Sequence, residues 1–116
     1  MTIEEMFGDL DKIDILAEKR ESNEVLMVLV CYGFIDGSPE TQKALLDKME
    51  GYLNHTQSKE FQKEYGGWLV ILRVILDQKP DERILALLSK YPVWAMDYGV
   101  KLEIEIGGKQ VRIAER

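Results

Sequence analysis

Two segments of the chain are apolar at nearly every position: residues 25–32 (VLMVLVCY) and residues 68–76 (WLVILRVIL), the second interrupted only by Arg73. Short apolar runs rich in β-branched residues predict strands. Residues 12–17 alternate Ile13, Ile15 and Ala17 against Asp14, with Glu18 continuing the polar side. They predict a strand joined to residues 25–32 as a hairpin, through the polar turn 19–24. Residues 101–106 set Leu102, Ile104 and Ile106 against Lys101, Glu103 and Glu105, and Gly107-Gly108 supplies a two-residue turn that needs positive φ. That turn pairs Ile106 with Lys109, Ile104 with Val111, Glu103 with Arg112 and Leu102 with Ile113, apolar opposite apolar, with an ion pair on the outer face.

Between the strands the period changes to that of helices. Ser38-Pro39 opens the first, serine as N-cap and proline where its missing N–H costs nothing. Leu45, Met49, Tyr52, Leu53 and Thr56 make its inward stripe, and the helix runs on or restarts through Phe61 and Tyr65 to end by Gly66-Gly67. Pro80, Asp81 and Glu82 start a second helix with Ile84, Leu87, Leu88 and Tyr91 inside. Pro92 breaks or kinks it before a continuation over 93–98. Residues 2–10 predict a short leading helix with Ile3, Met6 and Leu10 on one face, interrupted by Gly8. The expected fold is α+β, in the order ββαβαββ. Its sheet is mostly antiparallel and partly mixed, with two main helices on one face, in a single domain over 1–116.

The two apolar strands change this picture. A sheet covered on one side alternates apolar with polar residues, whereas these strands are apolar on both faces. Two helices cover one face. The other requires Ile3, Met6, Phe7 and Leu10 of the N-terminal segment, a second copy of the chain, or a different partner.

Apolar residues make up 46% and charged residues 31% of the 116, as in ordinary globular proteins. No apolar run approaches the ~20 residues that span a bilayer. The first residues carry acids where a secretory signal needs bases, and the sole cysteine, Cys31, can form no internal disulfide. A cytoplasmic, bacterial-type protein with no membrane contact is expected. The net charge of −6 argues against nucleic-acid binding, which needs clustered Lys and Arg. Residues 1–24 alone carry −5, through acids that include Asp14, Glu18, Glu21 and Glu24. Such an end is a solvated surface or a docking face for a basic partner.

Candidate chemistry is sparse. His55 is the single histidine, so histidine pairs and His-rich metal sites are excluded. A Cys31–His55–Asp36 nucleophilic arrangement is conceivable, but Cys31 lies mid-strand with no Gly-flanked elbow or helix N-terminus to activate it, which favours a buried structural thiol. Neither Gly-Gly pair belongs to a phosphate-binding pattern. Asp36 shapes its loop, and Trp68, Trp94, Tyr91 and Tyr98 lack the basic groove that base stacking requires. No catalytic, metal or cofactor residue is assigned. Arg73 is the anomaly: either its head snorkels to water, or it anchors a carboxylate from an N-terminal acid or another chain.

Residues 42–67 (QKALLDKMEGYLNHTQSKEFQKEYGG), with the strand and helix after them and the hairpin before, resemble a family of small uncharacterised bacterial α+β proteins. There a helix reading LLxxKxxxYLxFIxSGxxxxxYP sits between a hairpin and a strand. Leu46, Lys48, Tyr52, Leu53, Ser58 and Tyr65 occupy comparable positions, whereas Pro92 and an added final strand over 111–114 depart from it. The resemblance implies a fold and brings no catalytic residues. Three functions follow as expectations. The first is a non-enzymatic protein-binding module, in its most specific form an acidic immunity or antitoxin-type protein neutralising a basic toxin domain, with Arg73, Asp14, Glu18, Glu21 and Glu24 as partner-binding residues. The second is a homo-oligomeric structural or regulatory domain. The third is a small-molecule binder with a pocket between helices and sheet, lined by Tyr52, Trp68, Trp94 or Arg73.

Overall fold

A computed structural model describes residues 2–9 and 13–111. The chain forms α1 (Ile3–Phe7), β1 (Ile15–Lys19), β2 (Glu24–Cys31), α2 (Pro39–Thr56), α3 (Lys59–Tyr65), β3 (Leu69–Leu76), α4 (Glu82–Leu88), α5 (Tyr91–Met96), β4 (Val100–Ile106) and β5 (Lys109–Val111). The five strands make one sheet in the order β1-β2-β3-β4-β5.

The class is α+β and the sheet is mixed, as expected, but it is not mostly antiparallel, because its centre is parallel. β2 pairs parallel to β3, and β3 parallel to β4, while the hairpins β1–β2 and β4–β5 are antiparallel edges. The reason is geometric. Parallel neighbours need a long crossover, and each helical stretch between two strands is one. Both crossovers step the same way along the sheet, and right-handed connections then put α2, α3, α4 and α5 on the same face. The core lies there: Val25, Met27, Leu29 and Cys31 of β2 with Val70, Leu72, Val74 and Leu76 of β3, beneath Leu45, Met49, Leu53, Ile84 and Leu88.

Of the alternatives the sequence left open, both long helices divide in two. Ser58 accepts from the Phe61 N–H at 3.1 Å and so caps α3 as a separate helix. Pro92 stands in the first turn of α5, where its missing N–H costs nothing, so it opens a helix and does not kink one. The leading helix stops at Gly8, whose φ of 70° few side chains tolerate; Leu10 lies outside the described residues. The final hairpin has the expected register at Ile106–Lys109 and Ile104–Val111, with Gly107 and Gly108 at φ 59° and 85°. The expected pairs Glu103–Arg112 and Leu102–Ile113, and the strand to residue 114, lie outside the described residues.

The N-terminal helix does not cover the second face of the sheet. It packs on α2 and on β2, with Met6 and Phe7 buried in the same core as the other helices. Its last turn also serves the sheet edge, where the Met6 carbonyl accepts from the Tyr32 N–H at 2.8 Å.

Candidate interaction face

Registers place four cross-strand rows on the face away from the helices: Lys19–Glu24–Leu69, Ala17–Leu26–Ile71–Lys101, Ile15–Val28–Arg73–Glu103, and Val30–Ile75–Glu105–Gln110. Leu26, Val30, Ile71 and Ile75 lie outside the core cluster, and no described helix lies over them. Ile15 is 50% and Leu69 45% exposed. The face has two halves. Over β1, β2 and β3 it is apolar apart from Lys19, Glu24 and Arg73; over β4 and β5 it presents Lys101, Glu103, Glu105 and Gln110. Val28 is only 6% exposed although no described helix covers it, because Ile15 and the aliphatic stem of Arg73 flank it in its row.

Arg73 does anchor a carboxylate, but its partner belongs to the sheet. Its Nε and Nη2 donate to Glu103 Oε1 at 3.1 and 2.8 Å, and Lys101 Nζ stands 3.9 Å from the other Glu103 oxygen. Parallel pairing of β3 and β4 puts Arg73 and Glu103 side by side, so neither an N-terminal acid nor another chain is needed.

The four acids expected to accompany Arg73 do not gather around it. Glu18 points to the helix side of β1, where it accepts from the Tyr65 hydroxyl and pairs with Arg20 Nη2 at 2.7 Å. The hydrogen bond to Glu18 pushes the Tyr65 pKa up to about 12. Glu21 lies exposed in the turn. Glu24 alone joins the face, at its corner, accepting from Ser22 Oγ at 2.6 Å.

Asp14 belongs to a buried polar cluster that sequence reasoning missed. The Lys48 side chain, from the inward stripe of α2, is 0% exposed, and its Nζ donates to Asp14 Oδ1 at 2.9 Å and to the Asp9 carbonyl at 2.7 Å. Nζ also lies 5.8 Å from the centre of the Tyr52 ring. Asp14 Oδ2 accepts from the Val30 N–H at 3.1 Å, while the Tyr52 hydroxyl accepts from the Asp14 N–H at 2.7 Å and donates to the Val28 carbonyl at 2.8 Å. The β1–β2 ladder ends at Ile15–Val28, and beyond it side chains take the backbone groups of β2. Burial holds the Tyr52 hydroxyl protonated, well above its ordinary range. The signal was available, since Lys48 falls between Leu45 and Tyr52 in the helical stripe and a lysine there must be buried with a partner.

The other candidates disperse. Cys31 is buried, and desolvation, aided by the Asp14 carboxylate, holds its thiol far above the ordinary range and so un-ionised. Asp36 accepts from the Ser38 N–H at 2.9 Å and Thr41 Oγ1 at 2.8 Å just before α2, whereas His55 stands near its far end against Phe61. At 1.5 Å per residue they are about 25 Å apart, so no triad with Cys31 forms. Trp68 and Trp94 pack on the core rim beside Tyr65 and Tyr91. A depression of about 380 Å³ is lined by Ile3, Glu4, Gly8 and Asp9, a set that does not include Tyr52, Trp68, Trp94 or Arg73. Among the described residues no group of three or more His, Cys, Asp or Glu side chains is placed to hold a metal ion, and no helix is long and apolar enough to cross a membrane.

No family model, curated protein or solved structure matches the chain.

Proposed function

We propose that this chain is a non-enzymatic protein-binding module whose binding surface is the helix-free face of its sheet. The observation that carries this reading is the apolar half of that face, where Ile15, Leu26, Val30, Leu69, Ile71 and Ile75 have no helix of the described residues over them. Parallel strands ordinarily lie under cover on both faces, and a contiguous apolar patch of this kind marks an interaction site. The polar cluster around Lys48 supports the same reading, because its donors and acceptors are engaged in holding the N-terminal segment against β2 and α2.

The test is chemical cross-linking of the full chain in an extract of its native host. Lys19 and Lys101 stand at the rim of the face, whereas Lys43 and Lys59 lie on the helical side. Partner cross-links concentrated on Lys19 and Lys101, and reduced in Ile71→Glu/Ile75→Glu, are the expected outcome. Cross-links concentrated on Lys43 and Lys59 refute the assignment of the face. The more specific form, an acidic immunity or antitoxin-type protein neutralising a basic toxin domain, draws on the net charge of −6. Its signature is a basic partner whose affinity falls as salt rises.

A further inference from the structure

We infer that the occupant of the uncovered face is a second copy of this chain, packed sheet against sheet; this rests on reading that face as a protein-binding surface. The argument is charge. The chain carries −6, yet among the described residues its open face is balanced, with Lys19, Arg73 and Lys101 against Glu24, Glu103 and Glu105. Arg73 and Glu103 already satisfy each other at 2.8 Å. A surface evolved to hold a basic partner would concentrate the acids. Here acids are paired away instead, Glu18 to Arg20 and Asp14 to Lys48, on the other side of the sheet or beneath its edge. Two copies of a −6 chain meet most favourably through surfaces without net charge, and this one has none. Self-contact by a two-fold axis also lets the apolar half of each copy lie on that of the other, while the charged strip over β4 and β5 stays at the rim.

Area sets the size class. The longer strands have seven or eight residues, and five strands at about 4.8 Å spacing give a face of roughly 25 Å by 24 Å, about 600 Å² per copy. A pair would then bury about 1,200 Å², at the lower edge of stable interfaces and in the size class of weak, reversible complexes.

Sedimentation of the full chain across a series from about 1 µM to 1 mM tests this. The weight-average mass should rise from 13.4 kDa toward twice that value. Raising salt should tighten the pair by screening repulsion between two −6 chains, whereas a basic partner would be released. Ile71→Glu/Ile75→Glu should weaken association at least tenfold. So should Ile15→Glu, at a position already half-exposed in the single chain and therefore tolerant of the change. A dimer that persists in both variants, or one that salt dissociates, overturns the face-to-face pairing. A chain of 13.4 kDa at every concentration overturns the second copy as occupant. The wider reading then fails separately, if cross-links at Lys19 and Lys101 to other proteins are also absent.

Discussion

Removing Asp14 and removing Lys48 should differ sharply in cost, although the two groups form one ion pair at 2.9 Å. In Asp14→Ala the Lys48 ammonium stays fully buried and keeps only the Asp9 carbonyl among its hydrogen-bond acceptors. An ion left unpaired in such a site costs about 3–5 kcal/mol. The Val30 N–H loses its acceptor as well, which adds about 1 kcal/mol. The total, about 4–6 kcal/mol, is a large fraction of the roughly 6–17 kcal/mol available to a domain of this length. It corresponds to a fall in melting temperature of about 15–25 °C. Lys48→Met is milder. The thioether fills the space of the stem, and Asp14, 22% exposed, keeps the Val30 N–H and some access to water. Its cost should be about 1–2 kcal/mol. Adding Lys48→Met to Asp14→Ala should therefore recover at least about 2 kcal/mol relative to Asp14→Ala alone. Urea unfolding of the two single variants and the double variant measures all three values. Equal single costs, or a double variant whose loss is the sum of the two, would refute the view that the buried ammonium dictates the energetics.

Three further outcomes follow from particular contacts. Arg73→Leu should lower stability by about 1–2 kcal/mol, because Glu103, 19% exposed, keeps only Lys101 and Gln110 nearby. The same change leaves the open face of each copy with an uncompensated negative charge and should weaken self-association; denaturant melts and sedimentation read the two effects separately. Tyr91 buries a hydroxyl that has no hydrogen-bond partner among the described residues, so Tyr91→Phe should leave stability unchanged or raise it by up to about 1–2 kcal/mol in thermal melts. Hydrogen bonds from the Ser38 and Thr41 hydroxyls and the Ser38 N–H hold the Asp36 pKa below its usual value. That stabilisation is complete above the unfolded value of about 3.9 and is lost as pH falls through the lower folded one. The melting-temperature gap between the wild type and Asp36→Asn should stay constant above about pH 5 and close below pH 4.

Sequence pattern carried the elements further than it carried their arrangement. The Gly107-Gly108 hairpin was readable because turn chemistry and alternation fix one register. The start of α2 was readable because Ser38 and Pro39 each have one good place at a helix end. Strand direction was not, since β2 and β3 are apolar on both faces and look the same whichever way they run. The intervening helices held that information, because only a parallel pair requires them as a crossover. The N-terminal segment was one of three candidate covers for the bare face, beside a second copy and a different partner, whereas Met6 and Phe7 found the helical layer, a choice no periodicity encodes. Acidic residues near one another in sequence read as one surface, yet β1 sends Glu18 to one side while Glu24 emerges on the other.

The strands also lie across the sheet in the order in which the chain presents them. During synthesis, then, no strand has to insert between two that are already joined. Each arrival adds to an open margin, first the β1–β2 pair, then β3 after α2 and α3, then β4 after α4 and α5. An incomplete product always ends in an unpaired margin that only its own continuation fits in the correct direction. Slow translation through residues 32–68, the longer of the two crossovers, would leave the β2 margin waiting longest, at the stage when its apolar residues are open to another nascent chain.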